Sequence, residues 1–313
     1  MIEAKGLTKH YGRKVAVDDV TFTVKPGRVT GFLGPNGAGK STTMRMIVGL
    51  DRPTQGHVLV NGKAYARHAA PLGEVGALLE ARAVHTSRTA YHHLRAIAAT
   101  HGIPQSRVTD VIETTGLGTV AHKRVGGFSL GMGQRLGIAA ALLGDPHTLI
   151  LDEPVNGLDP EGVRWVRTMM RDLADQGRTV FLSSHLMSEM AITADDLIII
   201  GRGRIIAAGP LQEVIDSVAG TSVRVRSPQA GELADLLTGA GVTIQSLEPG
   251  LMEVDGLSAQ HIGETAARAG LVLHELSPRS SSLEEAYLRL TAEEVEFHSG
   301  AVGDFSEPQV GAA

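Results

Sequence analysis

The chain has 313 residues, is 42% hydrophobic, carries a net charge of −5 at neutral pH and contains no cysteine. Its length suggests two domains, or one large domain with an appendage. The acidic balance and an aromatic content of 4% argue against a nucleic-acid surface, and the lack of cysteine excludes disulfides and thiolate chemistry. No apolar run approaches the ~20 residues of a membrane span, so we expect a soluble or membrane-peripheral chain that needs another subunit for any membrane function.

The first predicted elements are short strands that lead into a glycine-rich loop. Strands are expected over 20–24 and 28–33, with Tyr11 in the turn region before them. The stretch 34–42 reads Gly-Pro-Asn-Gly-Ala-Gly-Lys-Ser-Thr and fits the P-loop pattern between a buried strand and a helix. Its backbone N–H groups and the helix dipole favour bound phosphate. We therefore expect Lys40 to reach the β- and γ-phosphates and the Ser41 hydroxyl to bind Mg²⁺.

Residues from about 86 to 144 show helical periodicity and few β-branched runs. Within them, the segment Phe-Ser-Leu-Gly-Met-Gly-Gln-Arg over 128–135 opens an amphipathic helix, with Ser129 as its N-cap. The exposed N–H groups of such a helix end form a second candidate anion site. From the residues alone, ordinary capping explains Ser129 equally well.

Two further strands end in polar residues. The apolar run over 148–153 predicts a fully buried parallel strand that ends in Asp152 and Glu153. An aspartate there can hold Mg²⁺ through its hydration shell, and the adjacent glutamate can accept a proton from an attacking water. Asp159 then caps a helix that begins with proline. His185 follows the buried strand 179–183, in a position where a lone histidine is more often structural.

Beyond Gly220 the pattern predicts a second unit of strands and helices. The expected order is β (222–226), α (229–240), β (242–248), β (251–255), α (258–269), β (271–276) and α (282–291). This order is compatible with a small α+β sandwich of ferredoxin-like type. Ser282 and Glu285 form a capping box at the start of the last helix. Residues 296–313 lack periodicity and predict a disordered tail.

Taken together, these motifs resemble the ATP-binding subunit of ABC transporters over about residues 2–217. Walker A is 34–42, the signature segment is 128–132, Walker B is 149–153, the D-loop is 155–159 and the switch histidine is His185. The resemblance implies an α/β fold with a P-loop ABC ATPase core, in which a mixed sheet carries a helical subdomain. We expect the ATPase domain over 1–219, its helical subdomain over about 86–144, and a C-terminal α+β accessory domain over 220–295.

The resemblance also implies roles for individual residues, with ATP and Mg²⁺ as ligands. ATP is bound by Tyr11, which stacks on adenine, and by Gly34, Pro35, Asn36, Gly37, Ala38, Gly39, Lys40, Ser41 and Thr42. The ATP of a partner subunit is contacted by Ser129, Gly131, Met132 and Asp159. Catalysis is assigned to Glu153 and His185, and the metal to Ser41, Asp152 and Glu80. These roles imply a head-to-tail homodimer that drives a separate membrane partner from the cytoplasmic face of the membrane.

The sequence departs from the common family pattern at two places. Leu130 and Met132 replace the first glycine and the glutamine of the usual signature, whereas Ser129 and Gly131 remain. Glu80 stands where the Q-loop usually has glutamine. A carboxylate there attracts Mg²⁺ and repels phosphate, each by about 4 kcal/mol at ~4 Å and an effective dielectric constant of 20, so the net sign stays open. Both departures, with the C-terminal domain, resemble the drug- and antibiotic-export branch that has ABC-2-type permease partners.

Three functions are compatible with these features. The first is an ATPase subunit that energises a membrane exporter of a drug, antibiotic or other amphipathic small molecule. The second is a soluble ABC ATPase acting on DNA or ribosomes, but such proteins usually carry two cassettes, long coiled coils or zinc cysteines. The third is a nucleotide-sensing subunit without turnover, against which Glu153 and His185 argue.

Overall fold

A computed structural model of the chain describes residues 1–80, 84–217, 222–279 and 282–291. The strands are β1 (Ile2–Tyr11), β2 (Lys14–Val24), β3 (Arg28–Leu33), β4 (Gln55–Val60), β5 (Val75–Leu78), β6 (Thr148–Asp152), β7 (Thr179–Ser183), β8 (Asp196–Gly201), β9 (Arg204–Pro210), β10 (Ser222–Arg226), β11 (Thr243–Glu248), β12 (Leu251–Asp255) and β13 (Glu275–Arg279). The helices are α1 (Lys40–Ile47), α2 (Pro71–Glu74), α3 (Ala90–Thr100), α4 (Gln105–Thr114), α5 (Leu130–Leu142), α6 (Pro160–Asp175), α7 (Met187–Thr193), α8 (Leu211–Asp216), α9 (Ala230–Leu237), α10 (Ala259–Ala269) and α11 (Leu283–Thr291). None of the helices in these described ranges has the length and apolar character to cross a bilayer.

Two sheets form the centre of the N-terminal two-thirds. One has six strands in the order β5-β6-β7-β3-β8-β9, parallel except for the antiparallel edge strand β9. The other is antiparallel, with the order β2-β1-β4. The rings of Phe22, Phe32 and Phe181 pack at centroid distances of 5.2–6.0 Å, so β2 of the smaller sheet contacts β3 and β7 of the larger one. The predicted mixed sheet is thus confirmed.

The crossover from β5 to β6 contains the helices α3, α4 and α5. Their apolar stripes meet at Leu94, Val108 and Leu136, all of which are fully buried. The periodicity of these helices, which places apolar residues three and four positions apart, therefore correctly predicted a helical subdomain. Parallel strands need such long crossovers, and this one delivers the N-terminus of α5 close to the loop that follows β6.

The C-terminal strands form a separate antiparallel sheet in the order β11-β12-β10-β13. The two strands that each helix connects, β10 with β11 and β12 with β13, are parallel to each other and are separated by one antiparallel strand. This is the ferredoxin-like arrangement that the predicted element order suggested. Val223, Val225 and Val254 face α9 and α10 in the core of this unit. The small C-terminal α+β fold therefore agrees with the prediction.

The last helix, α11, packs away from that unit. Ser282 and Glu285 form the predicted capping box: the Glu285 N–H donates to Ser282 Oγ, and the Ser282 N–H donates to a Glu285 carboxylate oxygen, each at 3.1 Å. Leu283 and Ala286 belong to the hydrophobic core of the ATPase part of the chain, where α11 contacts α7, α8 and β9. A boundary near Gly220 stays a prediction, and both that residue and the tail 296–313 lie outside the described residues.

Candidate functional site

A cleft of about 470 Å³ opens at the carboxyl ends of β3 and β6, where ligands bind in open α/β sheets. It is lined by Tyr11, Lys14, Ala16, Asn36, Gly37, Ala38, Gly39, Lys40, Ser41, Thr42, Asp152 and Glu153. Two glycines shape the loop. A Cβ on Gly34 would lie 2.3 Å from the Ile200 carbonyl oxygen, and Gly39 has φ 107° with the Ala16 carbonyl oxygen 2.6 Å from the same position. Only glycine fits at either site, so the loop is held tightly against β8 and β2.

The side chain of Lys40 bonds back to the first two residues of the glycine-rich loop. Its Nζ donates to the carbonyl oxygens of Gly34 at 2.6 Å and Pro35 at 3.1 Å. Burial lowers the pKa of Lys40, and the nearby carboxylates of Glu153 and Asp152 partly oppose this effect. A partly buried ammonium group with carbonyl partners is well placed to exchange them for phosphate oxygens, which carry more negative charge.

The oxygen atoms of Ser41 and Asp152 form the metal-binding part of the cleft. Ser41 Oγ donates to Asp152 Oδ2 at 2.7 Å. The other carboxylate oxygen, Oδ1, accepts a hydrogen bond from Ser183 Oγ, which fixes the orientation of the carboxylate. Mg²⁺ prefers one or two protein oxygens together with substrate phosphates and water. The donor set therefore fits Mg²⁺: the structure brings Ser41 and Asp152 together, and their role as metal ligands stays a prediction.

Glu153 lies one residue beyond the strand in which it was predicted. It has φ 51°, so the chain turns sharply here and directs the carboxylate towards His185. His185 Nδ1 and Glu153 Oε2 are 2.7 Å apart. The Glu153 N–H donates to Ser183 Oγ at 3.0 Å. This turn brings the two residues predicted to act in catalysis into direct contact.

A buried glutamine supports the Glu153 turn, and sequence reasoning did not assign it this role. Gln134 is 4% exposed, and its Nε2 donates to the Glu153 carbonyl oxygen at 2.9 Å. A buried amide must find a partner, so the presence of Gln134 on an otherwise apolar face was a usable signal. The contact joins α5 to the turn that carries Glu153.

Tyr11 ends β1 at the rim of the cleft. Its hydroxyl donates to Asp51 Oδ2 at 2.8 Å, and Arg45 Nε contacts the same carboxylate oxygen at 2.7 Å. Lys9 Nζ lies 4.9 Å from the ring centroid, a cation–π contact. The residue is 48% exposed, so ring surface remains available at the cleft. The roles of Asp51 and Arg45 in fixing this ring were not predicted.

The remaining predicted contacts form a second surface, apart from the residues that line the cleft. Ser129 Oγ accepts from the Met132 N–H at 3.2 Å, and Asp159 Oδ1 accepts from the Gly162 N–H at 2.8 Å. Both are N-caps, at the starts of α5 and α6. A Cβ on Gly131 would lie 2.9 Å from the Gly157 carbonyl oxygen. The signature segment and the D-loop therefore pack directly on each other.

Further along the two helices, α5 and α6 also contact each other through a cation–π interaction. The guanidinium carbon of Arg135 lies 4.8 Å from the ring centroid of Trp165, the one tryptophan of the sequence. Arg135 Nη1 also donates to the Thr115 carbonyl oxygen at 3.0 Å, just beyond the end of α4. One side chain thus joins the helical subdomain to the helix that follows the D-loop.

Glu80, predicted as a metal ligand, does not line the cleft that holds Ser41 and Asp152. It is exposed and follows β5 immediately before residues 81–83, which are outside the described ranges. Together with Asp51, which has the larger effect, its charge raises the pKa of Arg45 on α1. The role of Glu80 as a metal ligand stays a prediction.

Comparison with known proteins finds relatives for most of the chain. A family model described as "ABC transporter" matches residues 17–156, and one described as "Domain of unknown function (DUF8746)" matches residues 221–284. The bacitracin transport ATP-binding protein BcrA of Enterococcus faecalis is 33% identical, over 93% of this chain and 96% of that protein. The lantibiotic transport ATP-binding protein SrtF of Streptococcus pyogenes is 36% identical, over 66% of this chain and 89% of that protein. A solved structure of an ATP-binding subunit of an ABC transporter is similar with a TM-score of 0.64 and 29% identity, over 69% of this chain and 92% of that chain.

Proposed function

The chain belongs to the ATP-binding proteins of ABC transporters, and from this membership we propose that it powers the export of a peptide antibiotic or similar amphipathic molecule through a separate membrane permease. As a member of this family it binds and hydrolyses ATP. The observation that carries the proposal is the cleft, in which Lys40, the Ser41–Asp152 pair and Glu153 converge beyond the ends of β3 and β6. His185, which follows the intervening strand β7, contacts Glu153 there.

We assign the hydrolysis step to Glu153 and His185. The Glu153 carboxylate accepts a proton from a water molecule while the water oxygen forms a bond to the γ-phosphorus. The bond between that phosphorus and the ADP oxygen breaks in the same step. His185 holds the carboxylate in place through the 2.7 Å contact. Lys40 and the loop N–H groups stabilise the charge on the phosphates. Ser41 and Asp152 would hold Mg²⁺, which neutralises charge on the β- and γ-phosphates when bound.

We assign the second surface to ATP bound by another copy of this chain. Ser129, Gly131, Met132 and Asp159 lie in two segments that contact each other through Gly131 and Gly157, and none of the four lines the cleft of its own chain. The N-terminus of α5 presents unpaired N–H groups, which suit a γ-phosphate. A head-to-tail homodimer with two ATP molecules at the interface uses both surfaces of each chain. This arrangement gives every predicted ATP contact a partner.

The proposed partner is an ABC-2-type permease, and the proposed location is the cytoplasmic face of the cell membrane. Support comes from BcrA of Enterococcus faecalis, whose similarity extends through the C-terminal region, and from SrtF, whose similarity covers only the first two-thirds of the chain. Their names describe bacitracin and lantibiotic transport, and both of these substrates are peptide antibiotics. The comparisons give no support to the alternative of an ATPase that acts on DNA or ribosomes.

Glu153→Gln tests the proposal, because the amide keeps the shape of the side chain but cannot accept the proton. We expect ATP binding to be retained, hydrolysis to fall about 100-fold or more, and an ATP-bound dimer to accumulate in size-exclusion chromatography. In cells that express the chain together with its permease partner, the variant should abolish resistance to bacitracin or a lantibiotic. Wild-type turnover by a monomer would refute the mechanism, and full resistance with the inactive variant would refute the transport role.

A further inference from the structure

The final helix lies directly against the helix that follows His185. Leu283 is 3% exposed and Ala286 is fully buried, and both share a hydrophobic core with Met190 of α7. Contacts from α11 reach α7, α8 and β9. The opposite side of α11 is open, since Leu288 is 60% exposed. The apolar face of α11 therefore packs against the ATPase core.

Helix α7 depends on such packing. It has seven residues and no side-chain N-cap, and a helix this short is not stable by itself. On its inner side Met190 fills the space beside β3, where a Cβ on Gly31 would lie 2.3 Å from the Met190 sulfur. On another side it is covered by α11. Helix α6 also contacts α7, through Arg167 Nη1 and Glu189 at 3.6 Å and through Arg171 Nη1, which donates to the Thr193 carbonyl oxygen at 3.2 Å. The position of α7 is thus set by β3, α6 and α11 together.

The imidazole of His185 depends on α7 in turn. His185 lies two residues before the first residue of α7, and its side chain is 60% exposed. The preceding residue, Ser184, is buried and its hydroxyl accepts a hydrogen bond from the Leu186 N–H at 3.0 Å. The ring itself is held by Glu153. A shift of α7 would therefore move the start of the helix and carry the imidazole away from the Glu153 carboxylate.

We propose that α11 is a positioning element for His185, and that this role depends mainly on Leu283. The C-terminal sheet takes part through an ionic link: Arg279 Nη1 contacts both carboxylate oxygens of Glu253 at 3.0 and 2.9 Å, and Arg279 Nη2 contacts Glu285 of α11 at 3.4 Å. The C-terminal unit thereby acts on the hydrolysis site without contacting ATP. This inference rests on the role of His185 given in the proposed function.

The test is steady-state ATP hydrolysis by the purified full-length chain. Leu283→Ala should lower kcat about tenfold, because the Glu153–His185 contact is disturbed. The KM for ATP should stay within about twofold of wild type, because the P-loop contacts remain. Leu283→Met, in which a side chain of similar volume fills the same space, should keep kcat within about twofold of wild type. Leu288→Ala, on the exposed side of the same helix, is the matched control and should leave both constants unchanged.

The outcomes separate this inference from the function on which it rests. Wild-type turnover by His185→Ala would overturn the catalytic assignment itself. A strong loss in His185→Ala with wild-type kcat in Leu283→Ala would overturn the role of α11 alone. So would a rise in KM equal to the fall in kcat, or a failure of Leu283→Met to rescue. If circular dichroism shows that Leu283→Ala is unfolded, Leu283→Val takes its place in the same test. It removes less volume, so the expected loss of kcat is smaller.

Discussion

At the scale of single residues, the charged groups of the cleft are held by specific partners. Asp152 is bonded through both carboxylate oxygens, to Ser41 and to Ser183. Glu153 is held by His185 through its side chain and by Gln134 through its carbonyl oxygen. Preorganised carboxylates of this kind need little movement before reaction, which favours rapid catalysis once the substrate is bound. The sharp turn at Glu153 is the backbone feature that makes this arrangement possible.

The predicted role of Glu80 as a metal ligand can be tested directly. If it binds Mg²⁺, Glu80→Gln should raise the Mg²⁺ concentration for half-maximal ATP hydrolysis, by about tenfold, since an amide is a weaker ligand. We expect this result in a Mg²⁺ titration at fixed ATP. Tighter binding of ATP relative to ADP would show instead that the carboxylate repels the γ-phosphate. Titration curves and nucleotide affinities that match wild type would remove Glu80 from the site.

At the scale of elements, the N-terminal ends of α5 and α6 form one surface. Ser129 caps the first helix, Asp159 caps the second, and Gly131 contacts the Gly157 carbonyl between them. Neither helix end can shift without displacing the other. The two segments should therefore approach a partner subunit as a single rigid surface.

Ser129→Arg should separate binding by one chain from assembly of two. A bulky cation at the helix end obstructs the approach of the partner's γ-phosphate, whereas the P-loop of the same chain is unaffected. We expect ATP affinity of the monomer within about twofold of wild type and loss of the ATP-dependent dimer, measured in the Glu153→Gln background. Ser129→Thr, which keeps a capping hydroxyl, is the control and should still dimerise. Loss of ATP binding by the monomer would show that the segment serves only folding.

Local signals predicted these elements well, and long-range contacts were not predictable. The caps at Ser129, Asp159 and Ser282 depend on residues three positions apart, so the sequence shows them directly. An apolar stripe shows that α11 buries a face but not which surface covers it. The same limit applies to Tyr11, whose partner Asp51 is 40 residues away. Motif spacing placed the cleft because the ends of neighbouring parallel strands meet at one edge.

At the scale of the whole molecule, an ion-pair chain attaches the C-terminal sheet to α11. Hydrogen bonds from Ser222 and then Arg279 hold the pKa of Glu253 below its usual value of 4.5, although partial burial opposes the shift. Because the pKa in the folded state lies below that of the unfolded chain, the stabilisation is present above pH 4.5. It is lost as the pH falls through the folded-state pKa.

Glu253→Gln should therefore lower the stability of the chain at pH 7 by about 1 kcal/mol, or about 3 °C in melting temperature. The difference from wild type should narrow as the pH falls below 4.5, where Glu253 of the unfolded wild-type chain becomes protonated, and should be smallest below the pKa of Glu253 in the folded state. Thermal melts across this pH range measure both effects. Glu248→Gln is the matched control, since Glu248 pairs with Arg226 on the same sheet but is 53% exposed. A constant difference at all pH values would show that packing, rather than charge, is responsible.

The contact between Arg135 and Trp165 has a practical consequence. Indole fluorescence responds to a nearby positive charge, and this chain contains one tryptophan, with a guanidinium 4.8 Å from its ring centre. Arg135 belongs to the helix capped by Ser129, whereas Trp165 belongs to the helix capped by Asp159. A rearrangement of these helices during the ATP cycle would change the emission spectrum of the unlabelled protein. The intrinsic fluorescence of Trp165 thus reports on the relative position of the two helices whose N-terminal ends we assign to subunit pairing.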